Sequence, residues 1–145
     1  INQHPDLSLK VFYYAGSTRE MGQKAAQQAL QEFPTLKFIY TCSTDLALGV
    51  ADAIKQSGRT EVMVNGWGGG SAELDAIADG ELDVTVMRMN DDNGAAMADA
   101  ILMDLSGKGE GVPTIYSGDF EMVTAAMEKE RVEQLKQRAF RYSGQ

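Results

Sequence analysis

The sequence has little of what most catalytic, metal-binding or disulfide-bonded proteins require. It contains one cysteine and one histidine in 145 residues. Because Cys42 cannot form an internal disulfide, a disulfide-stapled secreted mini-domain is excluded, whereas cytosol and periplasm both remain compatible. No stretch approaches the roughly 18 consecutive apolar residues that a membrane span needs. With His4 as the only histidine, the sequence predicts neither a catalytic centre nor a metal site.

Positive charge is also scarce. The chain has 13 Lys and Arg against 21 Asp and Glu, which gives a formal net charge of −8. This balance argues against a nucleic-acid partner and against an anionic membrane surface, since both attract clustered basic residues. The length and the 43% apolar share fit one folded domain. Because the chain opens at Ile1 without a signal-like segment, we expect either that a leader was removed or that it is part of a longer protein.

Strand-like and helix-like patterns alternate along the chain. Short runs rich in β-branched and aromatic residues predict strands at 9–14, 38–41, 62–65 and 82–88. Helical spacing of apolar residues predicts helices at about 17–33, 44–57, 74–78, 92–105 and 128–138. Four strand–helix units in series predict an α/β fold, with a Rossmann-like parallel sheet and helices on both faces.

Polar and aromatic side chains follow the predicted strands. Ligands of open α/β sheets bind outside the carboxyl ends of the strands. That rule selects segments 15–19, 42–45, 66–71 and 88–92. The candidate ligand-binding residues within them are Thr44, Asp45, Trp67 and Arg88. A carboxylate accepts hydrogen bonds from hydroxyls, an indole offers a flat face, and a guanidinium suits anionic oxygens, so the set predicts a site for a small, hydroxyl-rich ligand.

Some of these residues have a purely structural alternative. Segment 43–45 could cap the helix that begins there, by accepting hydrogen bonds from the first free N–H groups. Arg88 could form a salt bridge at the strand end with an aspartate of segment 91–92. Trp67, flanked by glycines, favours an exposed or pocket position over a core position. Cys42 has no histidine near it in sequence, and we expect it to be a buried structural thiol.

Two cofactor motifs and one metal motif fail on spacing. Gly66 and Gly68 match the first two glycines of the dinucleotide fingerprint, but Ser71 stands in the third position. The P-loop pattern is missing from the sequence. Segment 90–93 is rich in oxygen ligands but lacks the spacing and the glutamate of a calcium loop. We therefore expect no cofactor and no resident metal, and an enzyme is the least supported class.

Several segments resemble a known family. The strand–helix series, segment 42–49 and the glycine loop after the third strand resemble the second lobe of type I periplasmic sugar-binding proteins. Within that family, segments 65–77, 85–92, 116–121 and 136–143 resemble the periplasmic autoinducer-2 receptors of the LuxP type. Ordinary sugar binders usually carry an aspartate in the Trp67-Gly68 stretch, so Trp67 separates the two groups.

The resemblance implies a receptor function in the periplasm. Such receptors have two Rossmann-like lobes that close on a furanosyl borate diester, the borated form of autoinducer-2. They signal through the periplasmic domain of a membrane-bound two-component sensor kinase. By residue-to-residue transfer, Thr44 and Asp45 bond ligand oxygens, Trp67 lines the pocket, and Arg88 faces the negative borate. The resemblance thus implies quorum sensing, with no cofactor beyond the bound signal.

The resemblance also implies that a complete first lobe is missing. We expect 1–89 to be the ligand-binding C-terminal lobe, 90–113 to be a hinge crossing and a helix of the missing N-terminal lobe, and 114–145 to return to the C-terminal lobe. Helix 92–105 would then lose its native partner and either pack elsewhere, swap between copies or expose its apolar face, and the chain alone would bind ligand poorly. The alternatives are a sugar-binding component of a transporter and the effector domain of a LacI-type repressor. Affinity measured with and without borate separates the first of these from the receptor.

Overall fold

The fold is a layer of helices on a four-stranded sheet. A computed structural model describes residues 3–141, so Tyr142 and Ser143 of the resembling tail lie outside the described residues. The helices are α1 (Arg19–Glu32), α2 (Thr44–Ser57), α3 (Ser71–Ala78), α4 (Asn90–Leu105) and α5 (Lys129–Ala139), with a 3₁₀ turn at Gly109–Gly111. The strands are β1 (Phe38–Ile39), β2 (Met63–Gly68), β3 (Val84–Arg88) and β4 (Phe120–Thr124).

The sheet is mostly parallel. Its order is β1-β2-β3-β4, with β1, β2 and β3 parallel and β4 antiparallel to β3. The predicted α/β fold class is confirmed, and the five helices lie close to their predicted positions. The sequence analysis missed β4, whose residues pair with β3 along its whole length.

The predicted strand at 9–14 is wrong. Residues 7–16 are irregular and make no ladder with any described residue. Phe12 and Tyr14 are exposed and contact each other edge to face, and the Tyr13 hydroxyl donates to Glu32 of α1 at 2.9 Å. The composition is strand-like, but a strand forms only beside a partner edge. Here β1 pairs only with β2, over two residues, and nothing pairs with the 9–14 run.

Local sequence signals set the ends of the first two helices. The Thr18 hydroxyl caps α1 by accepting from the Met21 N–H at 3.3 Å. The Ser43 hydroxyl caps α2 by accepting from the Leu46 N–H at 3.4 Å. Gly58 ends α2 with a φ of 71°, a left-handed conformation that favours glycine. These caps satisfy N–H and C=O groups that the helix ends leave free.

The two faces of the sheet differ in cover. Side chains alternate between faces along each strand, and partners across a ladder share a face. One face, here called the covered face, carries Val64, Met87 and Val123, which are buried under α2, α3 and α5. The opposite face, here called the open face, carries Phe38, Met63, Phe120 and Met122, which are all exposed. Helices were expected to pack on both faces. In the described residues, the buried strand side chains of the two hydrophobic clusters, around Val64 and around Met87, lie on the covered face.

Helix α4 stands apart from the core. It contains no buried residue, and its exposed apolar side chains are Met97, Ile101, Leu102 and Leu105. At its first turn, Arg138 of α5 bridges Asp92 and Asp119, at 2.7 Å to each carboxylate. Exposure of the apolar face is one of the three outcomes considered for helix 92–105, while the division into 1–89, 90–113 and 114–145 stays a prediction. In residues 3–141 no helix is long and apolar enough to cross a bilayer.

Candidate functional site

A cleft of about 360 Å³ lies at the carboxyl ends of the parallel strands. It is lined by Ser17, Cys42, Ser43, Thr44, Asp45, Trp67 and Arg88. The structure thus brings all four predicted site residues, Thr44, Asp45, Trp67 and Arg88, to one cleft. These residues are far apart in sequence but close in space, because three neighbouring parallel strands end at the same edge of the sheet.

Thr44 and Asp45 form the first turn of α2. Because Ser43 provides the helix cap, the carboxylate of Asp45 is not used for capping. Asp45 is exposed, and its carboxylate makes no hydrogen bond or ion pair with any residue from 3 to 141. Thr44 is half-buried, and its hydroxyl lies close to the backbone of Gly68, where an added Cβ would approach it to 3.0 Å. Both side chains can therefore offer oxygen atoms to a ligand.

Arg88 ends β3 on the open face and is exposed. The salt bridge considered as its structural alternative does not form. Asp92 instead pairs with Arg138 and with Arg141, both at 2.7 Å. Within the described part of the chain, the side chain of Arg88 makes no hydrogen bond or ion pair, so the cleft holds a guanidinium with its donors available.

Trp67 is half-buried, in agreement with the predicted pocket position. Its ring lies edge to face with that of Tyr40, with centroids 6.3 Å apart and planes inclined by 70°. The sequence analysis missed Tyr40 as a neighbour of the site. The only sequence signal was its position just beyond a strand end, next to segment 42–45.

The expectation that Cys42 is a buried thiol is wrong. Cys42 is exposed and lines the cleft. The reason is that β1 ends at Ile39, two residues earlier than the predicted strand, so Cys42 lies in the loop at the rim. No group of three or more His, Cys, Asp or Glu within residues 3–141 is placed to hold a metal ion.

Buried hydrogen bonds fix the rim segments on which the site residues lie. The side chain of Asn65 in β2 makes two hydrogen bonds to the backbone of Thr41. The Thr41 N–H donates to Asn65 Oδ1 at 2.8 Å, and Asn65 Nδ2 donates to the Thr41 carbonyl at 2.9 Å. The Thr41 hydroxyl donates to the Asn65 carbonyl at 2.6 Å. Since all these groups are buried, the bonds hold the β1–α2 loop to β2 in the dry interior.

One ion pair connects α1 and α2 near the cleft. Arg19 donates two hydrogen bonds to Asp52, at 2.7 and 2.8 Å. This bidentate contact lowers the pKa of the Asp52 carboxyl and raises that of the Arg19 guanidinium. Neither residue of this pair lines the cleft, and the charged side chains that do are Asp45 and Arg88.

The chain is similar to known proteins in sequence and in fold. Residues 1–109 match the sequence model described as periplasmic binding protein domain. A ribose import binding protein of Salmonella typhimurium is 31% identical over 108 residues, which cover 72% of this chain and 35% of that protein. The chain therefore spans about a third of the length of such curated relatives.

Solved structures extend the likeness beyond residue 109. A solute binding protein of an ABC transporter from Agrobacterium vitis, bound to α-D-tagatopyranose, has a TM-score of 0.83 at 15% identity, covering 92% of this chain and 45% of that one. A periplasmic solute binding protein of an ABC transporter from Actinobacillus succinogenes, bound to D-allose, has a TM-score of 0.80 at 18% identity, covering 92% and 46%. At these identities the structures show the shared fold alone.

Proposed function

Because the chain belongs to the periplasmic binding protein domain family, we propose that it forms one wall of a binding site for a small sugar. As a member of that family it is a periplasmic ligand-binding protein and not an enzyme. The observation that carries the proposal is the cleft that gathers Thr44, Asp45, Trp67 and Arg88. The sugars named for the relatives, ribose, allose and tagatose, support a neutral sugar as the first candidate.

Each side chain has a distinct part in this proposal. Asp45 accepts hydrogen bonds from sugar hydroxyls, and Thr44 both donates and accepts. Trp67 packs its face against the C–H groups of the sugar ring, held by its edge contact with Tyr40. Arg88 donates to ring or hydroxyl oxygens, for which its unpaired guanidinium is available.

The proposal is tested by titrating ribose and allose into the protein while the side-chain NMR signals of Trp67 and Arg88 are recorded. We expect saturable shifts at millimolar sugar, because a single open wall buries less of a ligand than a closed site does. Asp45→Asn should weaken the shifts, and Asp79→Asn, on the exposed turn after α3, should not. Signals that stay unmoved by both sugars up to molar concentration would contradict the proposal.

A second candidate ligand is the borate diester of autoinducer-2, and the unpaired Arg88 favours it. A neutral sugar does not require a permanent cation, whereas an anionic diester gains from one. Ribose forms anionic borate esters, so the titration repeated with borate tests this candidate directly. We expect Arg88→Gln to abolish any gain in affinity that borate produces and to weaken borate-free binding less, because glutamine keeps an NH₂ donor but not the charge. No gain in the unaltered protein would count against recognition of an anionic borate ester by Arg88.

The choice of ligand also decides the proposed partner. With a neutral sugar, the protein would deliver its ligand to the permease of an ABC transporter, the system named for its solved relatives. With the borate diester, it would signal through the periplasmic domain of a membrane-bound sensor kinase, as the resemblance to autoinducer-2 receptors implies. In both cases we propose that segment 90–113 belongs with a second lobe. The proposal is supported by helix α4, which lies in this segment and contains no buried residue.

A further inference from the structure

A carboxylate lies buried beneath segment 66–70, which comprises the end of β2 with Trp67 and the connection to α3 and is here called the loop. Glu73, in the first turn of α3, is fully buried, although glutamate rarely is. It lies on the covered face and is not among the residues that line the cleft. A buried carboxylate is costly unless hydrogen bonds satisfy its oxygens, so its partners indicate what it stabilises.

Three donors surround this carboxylate, and two of them are backbone groups of the loop. The Trp67 N–H donates to Glu73 Oε1 at 3.0 Å, and the Gly69 N–H donates to Glu73 Oε2 at 2.8 Å. The Thr85 hydroxyl of β3 also donates to Oε2. This arrangement extends the capping box, in which an acidic residue in the first turn reaches back to a free N–H group. Glu73 thus ties the end of β2, the loop and β3 at one point.

The glycines of the loop fit this arrangement. A Cβ at Gly66 would come within 2.6 Å of Glu73 Oε2, so the carboxylate fills the space of a side chain. Gly69 has a φ of +77°, and a Cβ there would lie 2.6 Å from the Cα of Met87. The loop therefore lies directly against β3, in a conformation that directs the Gly69 N–H at Glu73.

We propose that Glu73 is a positioning residue for the ligand site: its carboxylate fixes the backbone of Trp67 and Gly69 and so sets the indole as a wall of the cleft. The proposal rests on the function proposed above only for the role of Trp67 in ligand contact. The positioning itself needs no ligand. Glu73 would therefore affect affinity without touching the sugar, which distinguishes it from the four lining residues.

The test uses the single tryptophan as its reporter. Glu73→Gln keeps the size of the side chain and an acceptor for Trp67, but it can place an NH₂ group against the Gly69 N–H. We expect a red-shifted emission and a rise of roughly twofold in the acrylamide quenching constant, because a loosened loop exposes a half-buried indole. Asp75→Asn, on the exposed side of the same helix, is the matched control and should leave both values unchanged. Circular dichroism verifies that each variant is folded.

A second pair of variants and one measurement on the unaltered protein complete the test. Thr85→Val removes one donor and should raise quenching, and Thr85→Ser, which retains the hydroxyl, should restore it. In the unaltered protein, the Gly69 amide should exchange with solvent far more slowly than a free loop amide. The proposal would be overturned if Glu73→Gln and Thr85→Val both fold and keep the emission and quenching of the unaltered protein. It would also be overturned if the Gly69 amide exchanged rapidly. Because these readouts need no sugar, they are independent of whether sugar binds.

Discussion

The covered and open faces of the sheet are built from the same strands, yet neighbouring apolar side chains on the two faces differ greatly in burial. In β2, Val64 is 1% exposed and its neighbour Met63 is 48% exposed. In β4, Val123 is 1% exposed and its neighbour Met122 is 62% exposed. Apolar side chains of this size on a contiguous surface usually mark a site of contact with another part of the protein or a partner. The strands therefore carry a pattern for two covered faces, of which the described residues cover one.

Matched methionine substitutions should separate the two faces most strongly. Met87 is completely buried on the covered face, so Met87→Ala should lower the free energy of unfolding by about 2–5 kcal/mol. Met122→Ala removes the same atoms on the open face and should change it by less than about 0.5 kcal/mol. Urea unfolding followed by circular dichroism measures both. Equal losses would mean that the open face is covered in solution.

Two helical glycines provide a smaller contrast. A Cβ at Gly49 would collide with the Arg19 carbonyl oxygen of α1, so Gly49→Ala should cost about 1–3 kcal/mol by forcing α1 and α2 apart. Gly94 in α4 has no atom within 4 Å of an added Cβ, and Gly94→Ala should stabilise by up to about 1 kcal/mol through helix propensity. Thermal unfolding compares them. A loss at Gly94 comparable to that at Gly49 would show that α4 packs more tightly than described.

The ion pair between α1 and α2 should have a modest pH-dependent effect. Hydrogen bonds from Arg19 lower the pKa of Asp52 in the folded protein. The resulting stabilisation is present above the unfolded pKa of about 3.9 and is lost as the pH falls through the lower folded pKa. Because Arg19 is half exposed, we expect less than about 1 kcal/mol at neutral pH. Asp52→Asn should remove this part of the pH dependence. If the free energy of unfolding changed between pH 7 and pH 3 by the same amount in the variant and in the unaltered protein, the prediction would be refuted.

The exposed apolar side chains of α4 should contribute least to stability. Leu105→Lys should leave the free energy of unfolding within about 0.5 kcal/mol, because the side chain contacts little. It should, however, reduce any self-association measured by sedimentation, since it places a charge on an apolar helix face. Lys108→Gln, just beyond the helix, is a control at an already polar position. A large loss of stability for Leu105→Lys would show that this face is buried.

Local signals predicted the helices well because they act within a few residues. Thr18 and Gly58 mark helix ends through hydrogen bonds and backbone conformation that do not depend on the rest of the fold. The candidate cleft was also predictable, because the rule that ligands bind at strand ends needs only the order of strands and helices. Thr44, Asp45, Trp67 and Arg88 were selected in this way, and the structure gathers them.

Features that depend on distant partners were not predictable. Segment 9–14 has the composition of a strand, but strand formation depends on an available edge, which one sequence segment does not reveal. The antiparallel β4 was missed for the same reason. The sequence analysis did not single out Glu73, because its donors lie on two strands and on a loop that are brought around it only by the fold. Burial of a polar residue is decided by such tertiary contacts.

The bridge from Arg138 to Asp92 and Asp119 has a mechanical consequence. The chain leaves the sheet at one end of the bridge and returns at the other, so residues 93–118 form an excursion whose ends lie side by side. Arg141 also binds Asp92, and the Met89 N–H donates to the Asp119 carbonyl at 3.2 Å. Exposed ion pairs of this kind contribute about 1 kcal/mol or less, so they restrain the base of α4 only weakly. Because α4 begins two residues after Arg88, a rotation of this helix would act directly beside a residue that lines the cleft.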